Sequence, residues 1–206
     1  MSRQARSGRD PAGSEAGRLL VTGTGRCGTH TVAKALTDAG LPCGHEDAVI
    51  VAGVRAAGWQ AESSWFGTLH LPVPDCWTVL LVRHPAKTVA SLAQLRRQVN
   101  RNEGFADNDP GGLRARWSPA NWSLEMRLAA FWVGCNREAA VHADEIVRIE
   151  DLDVDILTGW SRKVGGPDVT VMPAPQHVHN PPPVEWDHLT KAVGFESAAR
   201  RFGYQP

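Results

Sequence analysis

Apolar and polar positions alternate along this chain in two rhythms. Short continuous apolar runs at 18–22 (RLLVT) and 78–83 (TVLLVR) have the pattern of strands buried on both faces. Each is followed by a stretch of helical period: 28–39, which Gly40 terminates, and 85–99, which Pro85 opens. The same reading predicts a second short edge over 41–46, a helix over 48–57 and a third extended segment over 65–71 ending at Pro72. Further on it predicts a long helix over 119–142, a strand at VRIEDL (147–152), a helix over 152–164 and a last helix over 195–202. Residues 100–119 crowd Asn, Asp, Gly and Pro together and read as a surface loop, with closure over a substrate as the second reading. Strands alternating with helices predict an α/β fold with a central parallel sheet flanked by helices. There are no internal repeats.

Chemistry concentrates in LLVTGTGRCGTHTV (19–32), an apolar run that ends in glycines and passes directly into a helix. Such a turn aims backbone N–H groups and the positive end of a helix dipole at one point, a phosphate cradle. Gly23, Gly25 and Gly28 satisfy the dinucleotide pattern GxGxxG, with Glu46 18 residues beyond. Gly23 and Gly28 also have the spacing of a nucleoside triphosphatase loop, but Thr29 and His30 stand where Lys and Ser/Thr belong. A cysteine phosphatase cradle around Cys27 needs an arginine where Ala33 stands, so Cys27 reads as a small packing residue in the turn. The remaining reading takes Arg26 as the cation and R-C-G-T-H-T as the loop. It resembles the [KR]-S-G-T-T loop of sulfotransferases that use 3′-phosphoadenosine 5′-phosphosulfate (PAPS).

Two further segments carry the same resemblance. TVLLVRHPAKTVASL (78–92) places Arg83 at a strand end and Ser91 eight residues on, similar to R-[DN]-P-x-x-x-x-x-S of that family, with His84 in place of the acid or amide. An arginine fork and a serine hydroxyl suit a phosphate dianion. VRIEDL is similar to the [VY]-R-Y-E-D-L of a late family strand, and Glu150 or Asp151 is expected to cap the following helix.

The resemblance implies a P-loop-type three-layer α/β fold over 18–206 after a disordered leader, 1–17. It also implies transfer of a sulfuryl group from PAPS to a hydroxyl or amine of a small-molecule or glycan acceptor, releasing adenosine 3′,5′-bisphosphate. Arg26, Cys27, Gly28, Thr29, His30 and Thr31 would then hold the cofactor at one end and Arg83 with Ser91 its 3′-phosphate. Arg26 is the expected leaving-group cation. For the base, Glu46 in CGHE and His70 in TLHLP both have family counterparts, whereas an extended chain would turn His45 away from a site that Glu46 faces. No metal is required. The alternatives are a nucleotide-phosphate kinase with an altered loop and a noncatalytic nucleotide-binding module. Trp65, Trp117, Trp122 and Trp132 fall where they could wall an acceptor pocket. The segment Glu62–Trp65 resembles an E-S-S-W stretch of bacterial members, without an evident role.

Composition narrows the partners. Lys+Arg and Asp+Glu both number 22, so no global field draws the chain to nucleic acid or to an anionic membrane. No apolar run approaches the roughly 20 residues a bilayer needs, unlike the membrane-anchored Golgi sulfotransferases. Cys27, Cys43, Cys76 and Cys135 lack metal or redox spacing and read as reduced thiols of a cytoplasmic protein. At 206 residues the chain is short for the family, which leaves substrate loops trimmed or supplied by a second subunit of a homodimer.

Overall fold

The computed structural model describes residues 17–50, 53–55, 58–99, 121–174, 181 and 184–206. Most of the expected leader, the 100–119 loop and Trp117 lie outside them.

Five parallel strands form the central sheet: β1 (Arg18–Gly23), β2 (Cys43–Gly44), β5 (Ala61–Ser63), β6 (Cys76–Val82) and β7 (Glu145–Arg148). Their order is β2-β5-β1-β6-β7, every neighbouring pair parallel. The chain therefore leaves β1 toward one edge and returns to β6 on the other side, which makes the β1/β6 crevice the topological switch point where ligands of open α/β sheets bind. Leu19, Leu20 and Val21 are wholly buried, each worth about 1.5–3 kcal/mol of apolar burial. Helices α1 (Thr29–Asp38) and α4 (Val154–Lys163) cover one face through Val32, Leu36, Leu157 and Trp160. On the other face lie α2 (Pro85–Val99), α3 (Leu124–His142) and α6 (Phe195–Arg201), packed through Val89, Phe131, Trp132 and Phe195. The fold is thus the expected three-layer α/β arrangement.

Where strands and helices differ from the sequence expectation, local chemistry explains it. The helix expected over 48–57 is an antiparallel pair, β3 (Val49–Ile50) with β4 (Gly53–Val54). Its β-branched residues favour extended backbone, and Val49 is buried with Leu20 and Val73. The third extended segment lies earlier than expected, at β5, and 65–69 is a 3₁₀ turn whose start is capped by Ser64 accepting from the Phe66 N–H. The second edge shrinks from 41–46 to Cys43–Gly44. Helix α3 begins behind a Ser123 cap, and α4 behind Asp153, whose carboxylate accepts from the Ile156 N–H. Glu150 and Asp151 do not cap it. Glu150 instead accepts from the His84 N–H and the Tyr204 hydroxyl, and Asp151 pairs with Arg148. A four-residue helix, α5 (Trp186–Leu189), is additional.

Candidate functional site

The turn from β1 into α1 is built by two backbone requirements. Gly23 lies so close to β6 that a Cβ there would sit 2.2 Å from the Leu81 carbonyl oxygen. Gly28 takes φ +103° as the N-cap of α1, a conformation that suits glycine. Gly28 offers no side-chain cap, the first turn holds no acid, and the first bond of the ladder is Val32 N–H to the Gly28 carbonyl. The N–H groups ahead of it have no acceptor within the helix, so the turn presents donors and a positive dipole end to an anion.

Both predicted arginines face this point. A cavity of about 270 Å³ is lined by Arg26, Gly28, Thr29, His30, Thr31, Glu46 and Arg83 of the predicted residues, together with Gly25, His45, Trp65, Leu92, Leu95 and Phe131. The Arg26 Nε donates to Ser91 Oγ at 3.0 Å, and Arg83 Nη1 donates to the Arg26 carbonyl at 2.9 Å. Ser91, itself not among the cavity residues, receives the Arg26 side chain, which reaches α2 from a backbone at φ +70°. Partial burial, and then the Arg83 charge, pull the Arg26 pKa below its ordinary value. Neither guanidinium pairs with a carboxylate of any described residue. Two neighbouring cations held this way are stabilised by an anionic ligand. The Arg83 turn is itself held from behind, since Trp132 Nε1 donates to the Arg83 carbonyl at 3.1 Å.

Besides Ser91, two predicted residues stand apart. The Cys27 side chain is fully buried in the core, its thiol pushed up to about 12 by desolvation, and its N–H donates to the Thr24 carbonyl. It packs the turn and does not reach the cavity. His70 is not among the cavity residues: its Nε2 donates to the Ile50 carbonyl at 2.8 Å, tying the 3₁₀ turn to β3. Of the described tryptophans expected to wall the pocket, Trp65 does so. Trp132 lies in the core and Trp122 packs against it.

Glu46 lies in the cavity wall with His45 beside it, the two side chains 3.8 Å apart at Nε2 and Oε1. The extended alternation that would have turned His45 away is broken because Glu46 takes φ +62°. Arg26, Glu46 and Asp75 are the non-glycine residues with positive φ among those described, and two of the three line this cavity. Backbone strain of this kind persists where surrounding structure over-determines it. Desolvation raises the Glu46 pKa from its ordinary value, opposed by His45 and reinforced by Glu62 and Asp47.

The residues that hold this loop are the ones whose role the sequence left open. Glu62, fully buried in β5, accepts from the Asp47 N–H at 3.0 Å and the Ala48 N–H at 3.2 Å. Its carboxylate presses on Gly44, where a Cβ would lie 2.2 Å from Oε2. Ser63 Oγ donates to the Thr29 carbonyl, Ser64 Oγ donates to the Val49 carbonyl, and the Ser63 carbonyl accepts from His45 Nδ1. The run Glu62-Ser63-Ser64, an acid followed by two serines, was the available signal. Glu62→Ala is expected to leave two N–H groups unsatisfied and to cost about 2 kcal/mol, lowering Tm by roughly 4–8 °C. Glu62→Gln, keeping one acceptor oxygen, should lose less. A thermal melt of Glu62→Ala that superimposes on the wild type would show that the loop is held by other means.

Among solved structures, the chain is similar to a sulfotransferase from Alicyclobacillus acidocaldarius, at 12% identity over 90% of this chain and 93% of that one, with a TM-score of 0.51. At that identity the likeness establishes a shared fold. No protein-family model matches the chain, and no curated protein matches it. Among the described residues no helix is long and apolar enough to cross a membrane, and no cluster of His, Cys, Asp or Glu has the arrangement of a metal site.

Proposed function

We propose that this protein is a sulfotransferase that takes its sulfuryl group from PAPS. The observation that carries the reading is that Arg26 and Arg83, from the two turns flanking the switch point, line one cavity without a carboxylate counter-ion among the described residues. The donor set fits a nucleotide bearing two anionic ends: two guanidiniums, the N-terminus of α1, and the hydroxyls of Thr29 and Thr31. A dehydrogenase has no use for the second arginine, and the lysine of a triphosphatase loop is absent. The fold shared with a bacterial sulfotransferase agrees with this reading.

When bound, PAPS supplies an activated sulfuryl group on a phosphate leaving group. Arg26 and the donors at the start of α1 would stabilise the charge that develops as that group departs, a stabilisation that is largest when donors are fixed beforehand. The Arg83 bond to the Arg26 carbonyl supplies that fixing, and Ser91 orients the Arg26 side chain. Glu46, its pKa raised from the ordinary value by desolvation, provides proton-accepting capacity in the same cavity. Trp65, Leu92, Leu95 and Phe131 form an apolar wall suited to the body of an acceptor. Incubation with PAPS carrying labelled sulfate and a panel of hydroxyl and amine acceptors is expected to give labelled product without added magnesium. Consumption of ATP or NAD with the same panel, and none of PAPS, would contradict the assignment.

A further inference from the structure

The loop Gly44–Ala48 brings a second proton acceptor into the cavity. The Ser63 carbonyl can only accept a hydrogen bond, so His45 Nδ1, 2.7 Å away, carries the proton and the lone pair of the neutral ring lies on Nε2. Ser63 belongs to β5, is fully buried, pairs with Val21 of β1 and spends its own hydroxyl on the Thr29 carbonyl, so the group that sets the tautomer is part of the sheet. The ring is further placed by the His45 N–H bond to Asp47 Oδ2 and by the His30 ring, its centroid 4.9 Å away. Nε2 is thereby aimed at the wall it shares with Glu46 Oε1, 3.8 Å from it. His70, whose Nε2 already donates to a carbonyl, has no such arrangement.

We propose that His45 and Glu46 form a proton-accepting dyad, with His45 Nε2 receiving the proton of the acceptor substrate and Glu46 stabilising the imidazolium. The inference rests on the sulfuryl-transfer reading. In the step, the acceptor O–H or N–H bond breaks and its proton goes to Nε2, while Nδ1–H stays on the Ser63 carbonyl. The acceptor oxygen or nitrogen bonds to sulfur as the sulfur–oxygen bond to the nucleotide phosphate breaks, and that electron pair remains on the phosphate oxygen; nothing is oxidised or reduced. Asp47 and Glu62 add negative charge behind the dyad, His30 lies against its ring, and Arg26 and Arg83 share its cavity. The imidazolium thus has carboxylates on its own side and the developing phosphate charge has the arginines.

The tautomer can be read without any substrate. Long-range ¹H–¹⁵N correlation spectra of labelled protein, with His45→Gln to assign the signals, are expected to show the Nδ1–H form at neutral pH. In turnover, His45→Gly is expected to lose about 100-fold or more in kcat/KM and to regain about tenfold with added imidazole, which a packing role would not produce. Its affinity for adenosine 3′,5′-bisphosphate should stay near that of the wild type. An Nε2–H tautomer, or His45→Gly turning over as fast as wild type, overturns the dyad and leaves the sulfuryl-transfer reading standing. That reading fails separately if the wild type does not bind the bisphosphate.

Discussion

Arg26→Gly is expected to lose nucleotide affinity by about 100-fold or more, equivalent to roughly 2.7 kcal/mol, while its stability stays within about 2 kcal/mol of wild type. The two effects separate because Arg26 is costly to the fold and useful to the ligand. A non-glycine residue at φ +70° pays on the order of 1–2 kcal/mol, and partial burial beside Arg83 disfavours its charge. Glycine removes both penalties. Against that stand the lost bond to Ser91, roughly 1.5–3 kcal/mol for a charged donor, and the greater freedom of glycine in the unfolded chain, about 0.5–1 kcal/mol. For binding there is no such compensation, since one of the two guanidiniums that line the cavity disappears. Calorimetry and thermal melts on the same preparation check both halves. Unchanged affinity would mean that Arg26 holds the turn and nothing else.

Glu46→Gln should abolish most transfer, by about 10²–10⁴-fold in kcat/KM, and should not weaken the fold at neutral pH. Burial raises the Glu46 pKa in the folded state, so the native protein binds this proton more tightly than the unfolded chain does. The stability linked to it is fully present below the unfolded value, near the ordinary ~4.3 of glutamate, and is lost as pH rises through the raised folded value. At neutral pH the ionised carboxylate therefore opposes folding, and the neutral amide relieves that cost. For the same reason activity should fall on the acid side at a pH above the ordinary glutamate range. A variant that melts well below wild type at pH 7 would show that Glu46 is held by attractive contacts instead. One that keeps full turnover would remove it from the chemistry.

The sheet and both arginine turns were legible in the sequence because their signals are local. LLVTG and TVLLV are long enough in apolar residues to be strands, and Gly28 and Pro85 mark where their helices start. What lay between was hidden by non-local satisfaction of polar groups. Glu62, Ser63 and Ser64 look like loop residues until the groups they bond, the Asp47 and Ala48 N–H and the Thr29 and Val49 carbonyls, are in place. The few residues of the β3–β4 pair fit either period, and it is the burial of Val49 that favours the extended form. The two histidines were hidden for a similar reason: which ring nitrogen of His45 or His70 is bonded depends on a carbonyl 18 or 20 residues away. Cys27 could be placed from sequence as a packing residue, and the core bears that out.

The central claim is that Arg26 and Arg83 together receive one nucleotide with phosphates at both ends. Isothermal titration of the wild-type protein with adenosine 3′,5′-bisphosphate, ATP and NAD, each with and without magnesium, tests it most directly. Saturable binding of the bisphosphate, tighter than either of the others and indifferent to magnesium, is the predicted result; a preference for magnesium–ATP or for NAD would contradict it.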